Sequence, residues 1–173
     1  MIPQKIIKYP SVAKSGDGRM FIDFLEKAKV KYEPIEHRIV YTAFDKAQTL
    51  KVSEKMVGKT LILKTDKGIF IALIATNKNL DTNKLKKIAK AKKIGFVSEK
   101  VIKNKFKGVK VGAIPPFGNL WGLLTFIDRS LTNQPKIIIN GGDHNFSIKI
   151  SPAAFKKIIP DLIIGNFSKP RGR

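Results

Sequence analysis

Two apolar runs, KTLILKT at residues 59–65 and IFIALIA at 69–75, flank the short turn Asp66-Lys67-Gly68, and no other feature restricts the fold as much. β-Branched runs joined by a glycine-containing turn form a hairpin. Because both runs are almost continuously apolar rather than alternating, both faces of the hairpin have to be covered. The flanking sequence supplies the cover. From Met20, the residues Phe21, Phe24, Leu25 and Ala28 recur at helical spacing, and Tyr32 to His37 reads as a short strand. Thr42, with Asp45 three residues on, caps a helix running to about Leu50. Asp81 caps a basic helix with Leu85, Ile88 and Ala89 inward; Ile94 to Val97 makes a strand, and Ser98 caps a second short helix that Gly108 stops. LLTFID, KIIIN and FSIKI are further strands, with Gly141-Gly142-Asp143-His144 turning between the last two, and Ser151-Pro152 opens a helix ending near Pro160. Hairpins mixed with helices, without regular βαβ alternation, predict an α/β fold of the α+β type. Its sheet should be mixed and largely antiparallel, with helices packed around it.

The 173 residues suffice for one domain. The expected organisation is a basic, irregular arm over 1–18, a folded domain over 19–160 and a flexible basic tail over 161–173. The N-terminal MIPQKIIKYPSVAK lacks the apolar stretch of a signal peptide, and no run is long enough for a membrane helix, so a cytoplasmic protein is expected.

Charge narrows the partners. Lys and Arg number 34 against 13 Asp and Glu, a net charge of +21, which exceeds what solubility requires and implies a polyanion. The lysines between Asn77 and Lys110 are opposed only by Asp81 and Glu99, making that stretch the expected electrostatic footprint. A chain that is simply lysine-rich over its whole surface is the alternative. A membrane is not expected, since no basic amphipathic helix carries a Trp and Phe face. With no cysteine, disulfides, thiolate zinc sites and a cysteine nucleophile are excluded. The phosphate loop G-x-x-x-x-G-K-[ST], a G-x-G-x-x-G after a strand, G-x-S-x-G and H-E-x-x-H are all missing, and His37 and His144 are the only imidazoles. Neither a metal nor another cofactor is expected.

The remaining candidates are places where the backbone is unusual or a charge is oddly placed. In Gly112-Ala113-Ile114-Pro115-Pro116-Phe117-Gly118, two prolines fix φ and remove donors while the outer glycines allow close approach. Such a loop is either a preshaped site wall or a buried turn between strands. Gly141 and Gly142 divide in the same way between a hairpin turn and a place where a ligand nears the main chain. Lys59 enters a doubly covered strand beside Gly58 and Thr60, where a cation can point into a cleft.

Taken in order, these pieces resemble the YbaK-like family of aminoacyl-tRNA deacylases, which is related to the editing domain inserted in bacterial prolyl-tRNA synthetase. The resemblance spans roughly Met20 to Ile159. It comprises FLEKAKVKYEPIEH, Tyr41-Thr42-Ala43, Gly58-Lys59-Thr60-Leu61, Asn79-Leu80-Asp81 and Phe96-Val97-Ser98-Glu99, then the G-x-x-x-P of Gly112 to Pro116 with Phe117-Gly118, Ile127-Asp128, and Asn140-Gly141-Gly142 before FSIKISP. The family implies a twisted mixed sheet, a partial barrel surrounded by helices, and a trans-editing hydrolase that cleaves the ester of mischarged aminoacyl-tRNA. It implies catalytic roles for Lys59, holding the terminal adenosine or the developing charge, and for Gly112, whose backbone fixes the aminoacyl group. His37, Tyr41, Thr42, Pro116, Phe117, Gly118, Gly142 and His144 are the expected substrate-binding set, with His37 equally readable as a structural histidine. Lys84, Lys87, Lys103 and Lys107 are the expected contacts to the tRNA backbone. The partners implied are the acceptor end of a mischarged tRNA and an aminoacyl-tRNA synthetase. Ester hydrolysis needs a positioned water and a stabilised oxyanion more than a strong nucleophile, and the family is thought to recruit a ribose hydroxyl, so no general base is assigned. Two departures, Asn140-Gly141-Gly142 for N-A-G and Lys107 for a threonine, bear on which amino acid is removed. The competing readings are a noncatalytic tRNA-binding or synthetase-associated module and a general basic nucleic-acid protein.

Overall fold

The computed structural model describes residues 16–171. Of the expected N-terminal arm, residues 1–15 lie outside the described residues, and the remainder opens helix α1 (Gly16–Lys27). The hairpin forms as expected from β2 (Gly58–Thr65) and β3 (Gly68–Ala75), paired antiparallel from Gly58 with Ala75 to Thr65 with Gly68. It lies within a five-stranded sheet of order β5-β2-β3-β6-β9, completed by β5 (Ile94–Phe96), β6 (Thr125–Asp128) and β9 (Ile163–Gly165). β5 runs antiparallel to β2, while β3, β6 and β9 are parallel. A second, antiparallel sheet has the order β1-β8-β7, from Tyr32–Glu36, Phe146–Ile150 and Ile137–Asp143. A bridge between Val57 and Ile138 ties the two sheets together. β4 (Lys78–Leu80) and β10 (Ser168–Pro170) make a third, two-stranded sheet. The fold is thus mixed and largely antiparallel, and its sheets do not close into a barrel.

Cover on both faces of the hairpin follows from side-chain alternation. On one face Leu63, Phe70, Ala72 and Ile74 pack against Leu85 of helix α3 (Thr82–Ala89) and against Phe167. On the other, Leu73 and Ala75 meet α1, β7, β8 and Phe155 of helix α6 (Pro152–Ile158). Ile62 and Ile71 on that side pack with Phe106 and Ile114, which brings in helix α4 (Glu99–Lys105) and the proline-bearing loop. Each such fully buried Leu, Ile or Phe contributes about 1.5–3 kcal/mol, enough to fix which face each residue takes. Helix α2 (Ala43–Leu50) starts where Thr42 Oγ1 accepts the Asp45 amide at 3.0 Å and packs Ala43, Ala47 and Leu50 on Val57 and Ile138. The short helix α5 (Arg129–Thr132) follows β6.

The structure corrects two expectations. Residues 161–171 include β9 and β10 instead of forming a flexible tail. The cause is Asp128, 3% exposed, whose carboxylate accepts the Phe167 amide at 2.8 Å, the Ser168 hydroxyl at 2.8 Å and the Ser130 hydroxyl at 2.5 Å. Burial pushes its pKa up, but those hydrogen bonds outweigh burial and leave it lowered. The second correction concerns Gly141-Gly142. β7 continues to Asp143, with a bulge between Asn140 and Asp143 in which Gly142 takes φ +101, so these glycines lie in a bulge and not in the turn.

Candidate active site

Where the two larger sheets meet, a cleft of about 280 Å³ opens between the start of α2, the start of β2, the loop at Gly112 and the end of β7. Pockets for drug-sized ligands begin near about 300 Å³, so this one suits a small group such as an aminoacyl moiety. Tyr41, Thr42, Lys59, Gly112 and His144, five of the residues singled out in the sequence, line it together with Lys46, Thr60, Asn140 and Asp143.

Each is positioned by a local feature. Gly112 sits in the loop before Ala113 with φ +87, a backbone conformation glycine adopts without strain. A Cβ there would lie 3.5 Å from the His144 ring, so loop and imidazole are adjacent. The loop is held on both sides, since Gly142 N–H donates to the Ala113 carbonyl at 2.9 Å and Lys110 N–H to the Gly142 carbonyl at 3.0 Å. Among the described residues the Gly112 amide itself has no acceptor, and the residue is exposed. Tyr41 packs against His144 with ring centroids 4.9 Å apart and the ring planes tilted by 60°, and at 71% exposed it leaves most of its ring to solvent.

Lys59 behaves differently from what its place in the strand suggests. Alternation puts Thr60 on the face toward β7, where its hydroxyl accepts from Asn140 Nδ2 at 3.4 Å, and puts Lys59 with Leu61 on the opposite face. Lys59 therefore lines the cleft at its rim while its ammonium donates to the Lys78 carbonyl on β4 at 3.1 Å. Burial lowers its pKa, and the nearby Arg171 guanidinium adds to the effect. Arg171 in turn is held by Glu54 Oε1 and the Thr76 carbonyl, each at 3.4 Å.

The deepest cation, Lys46, was not singled out in the sequence. It is 5% exposed and donates to Asn140 Oδ1 at 2.7 Å, and burial pushes its pKa down to about 8. A signal for it existed in the helical period: Ala43, Ala47 and Leu50 mark the buried stripe of α2, and residue 46 falls on that stripe. Asn140 spans the site, its Nδ2 also donating to the Ile114 carbonyl at 3.3 Å.

Other expected site residues lie elsewhere. His37 pairs through Nε2 with the buried Ser147 hydroxyl at 2.9 Å and through Nδ1 with the Arg38 carbonyl at 2.7 Å, and it does not line the cleft. Its pKa is lowered, chiefly by burial. Pro116, Phe117 and Gly118 are buried behind the loop, with Phe117 against Phe21, Phe24 and Phe155 and the Gly118 amide on Thr125 Oγ1 at 2.8 Å. Gly142 lies one layer back, facing Val109. Lys84 and Lys87 lie exposed on α3, with Lys103 on α4 and Lys107 just beyond it, outside the cleft. No three His, Asp or Glu side chains converge among the described residues, and no described helix is long and apolar enough to cross a membrane.

Comparison with known proteins places these features in a family context. A family model described as the aminoacyl-tRNA editing domain matches residues 37–158. Proline–tRNA ligase of Fervidobacterium nodosum is 29% identical over 107 residues, which are 62% of this chain but only 18% of the ligase. The chain thus spans less than a fifth of that curated relative's length. Among solved structures, a hypothetical protein aligns with a TM-score of 0.78 at 21% identity, covering 86% of this chain and 98% of its own. A candidate trans-editing enzyme for prolyl tRNA synthetase aligns with a TM-score of 0.76 at 18% identity, covering 95% of this chain and 100% of its own. At those identities the structural matches speak for the fold alone.

Proposed function

The chain belongs to the aminoacyl-tRNA editing domain family, and on that premise we propose that it is a trans-editing deacylase that hydrolyses the ester of a mischarged aminoacyl-tRNA. The observation that carries the proposal is the convergence of Lys59, Gly112, Thr42, Tyr41 and His144 on one cleft of aminoacyl size. A net charge of +21 favours a polyanionic carrier for that small group, and the exposed lysines Lys84, Lys87, Lys103 and Lys107 hold its backbone.

In this reading the aminoacyl group enters the cleft and the terminal adenosine stays at the mouth, where the open face of Tyr41 offers a stacking platform. A water oxygen bonds to the ester carbonyl carbon, and the carbonyl oxygen takes the negative charge. The unshared Gly112 amide and the Lys59 ammonium, swung on its four-carbon stem from the Lys78 carbonyl, stabilise that oxyanion. The bond from carbonyl carbon to ribose oxygen then breaks, and the water proton passes to the ribose oxygen, with the neighbouring ribose hydroxyl as relay. The products are free amino acid and tRNA. Holding the ester against fixed donors supplies most of the acceleration such an activated bond needs.

The test is release of amino acid from a panel of mischarged tRNAs by the wild type and by Lys59→Ala. Loss of one oxyanion donor is expected to lower the single-turnover rate about 10²- to 10³-fold, with tRNA affinity nearly unchanged. Absence of hydrolysis across the whole panel, with salt-dependent tRNA binding intact, would establish the noncatalytic tRNA-binding module instead.

A further inference from the structure

Ester hydrolysis as set out above leaves the buried cation of the cleft unused. Lys46 lines its floor at 5% exposed, and its ammonium has one described hydrogen-bond partner, Asn140 Oδ1 at 2.7 Å. No ion pair is made to it among the described residues. Asp143, the acid lining the same cleft, has Oδ1 on the His144 amide at 2.6 Å. His37, close enough for Lys46 to depress its titration, brings no negative charge. A buried ammonium lacking a counter-ion is costly, and so are its two N–H groups without a described acceptor.

Asn140 cannot relieve this by turning over. Lysine only donates, so the amide oxygen must face it, and Nδ2 is thereby committed to the Ile114 carbonyl and Thr60 Oγ1. Lys46 and Asn140 together form a preset polar floor beneath a rim of exposed residues, Tyr41, Thr42 and Gly112. The order in which a substrate meets these layers is dictated by its tether. A tRNA cannot enter a cleft of about 280 Å³, so the ester stays near the rim and the amino-acid side chain leads toward the floor.

Resting on the deacylase reading, we infer that Lys46 is a specificity-determining residue whose ammonium, oriented by Asn140, receives an oxygen acceptor on the side chain of the aminoacyl group. The substrate class is then a hydroxyl-bearing aminoacyl ester. An apolar side chain of the same shape displaces water from the ammonium and returns no hydrogen bond, whereas a hydroxyl replaces what is lost.

Two pairs test the inference, threonyl- against the isosteric valyl-tRNA and seryl- against alanyl-tRNA, which lacks only the hydroxyl, by kcat/KM and by affinity of the corresponding non-hydrolysable aminoacyl-amide adenosines. Wild type is expected to prefer the hydroxyl member of each pair about tenfold to hundredfold, a hydrogen bond to a charged group. In Lys46→Met the ratio within each pair is expected to fall to about one, read as a ratio so that any rate loss common to both members cancels. Lys46→Gln serves as the second variant and is expected to keep part of the preference. Equal loss on all four esters in a folded variant, or ratios unchanged from wild type, overturns the inference while leaving the deacylase reading intact. If wild type cleaves none of the four esters and the amide analogues bind without preference, this inference falls, and the deacylase reading falls with it only if the whole panel of mischarged tRNAs is also left intact.

Discussion

The floor and the rim of the cleft each carry a lysine whose pKa burial lowers, yet the two are held in opposite ways. At the floor, Lys46 is pinned to a side-chain amide that is itself bonded to the loop and to β2. At the rim, Lys59 leans on a backbone carbonyl of β4 with Arg171 nearby, on the strand face turned from Asn140. A cation in a fixed network suits recognition, because its geometry is set before the substrate arrives. One resting on a single carbonyl can be given up to a developing charge at little cost. The contrast teaches that burial alone does not assign a role; the partners and their freedom to move do.

The largest effect expected from breaking this division is that of Lys59→Ala, the 10²- to 10³-fold loss in single-turnover rate already described, on every ester alike. If Lys46→Met instead reduced every ester as strongly, the floor would share the oxyanion and the division would collapse. Stability separates the two next. Burial lowers the Lys46 pKa from 10.5 to about 8, so the unfolded chain binds more protons between those values and stability rises with pH across that window. The penalty is fully present below about pH 8 and is on the order of 3 kcal/mol. Lys46→Met removes it and loses one hydrogen bond to a charged group, worth about 1.5–3 kcal/mol. The variant is expected to be level with wild type or about 1 kcal/mol more stable at pH 7, and to lose ground progressively as the pH rises toward 10.5. Urea midpoints at both pH values check this; a difference that stays constant with pH would mean that the Lys46 pKa is the same in the folded and the unfolded chain, so that burial exacts no penalty on its charge. Gly112→Ala probes the rim through its backbone: φ +87 makes any side chain strained, so roughly 1–2 kcal/mol of stability should be lost. A several-fold drop in deacylation should accompany it.

How the sequence announced these features differs in kind. The hairpin, both its covered faces and most capped helices were legible because apolar runs, cap residues and glycines act locally, as Thr42 and Asp81 do. β9 and β10 were not, since they exist through a carboxylate about forty residues away, and no local pattern near Ser168 encodes Asp128. In the cleft, Gly112 and Lys59 could be picked out by motif. The direction of the Lys59 ammonium could not, because it depends on a strand, β4, that only pairing with β10 completes. Lys46 was readable from the stripe Ala43, Ala47 and Leu50, but a charged residue on such a stripe is ordinarily discounted. Asn140 stood in a recognised triplet, although its function as the bridge between two sheets needs coordinates.

The smallest effects are expected outside the cleft, and they extend the floor and rim comparison to the two basic helices. α4 carries Ile102, which packs together with Phe106 and Ile114, so Lys103 and Lys107 belong to the layer that braces the Gly112 loop. α3 packs Leu85 beside Phe167 on the other face of the sheet, the side toward which Lys59 turns. If one tRNA backbone crosses both, then Lys84→Gln with Lys87→Gln and Lys103→Gln with Lys107→Gln should each lower the slope of log K against log salt by roughly 1.4–1.8. The two losses should add, and the hydrolysis rate at saturating tRNA should not move, since none of these ammonium groups touches the ester. Glu99, 3.5 Å from Lys103 and exposed, is no obstacle, because a surface pair of this kind is worth only about 0.2–1 kcal/mol and yields readily to phosphate. A full loss from the α4 pair with none from the α3 pair would confine the tRNA to the loop side. The Lys59 ammonium would then have to cross the strand edge to reach its ester.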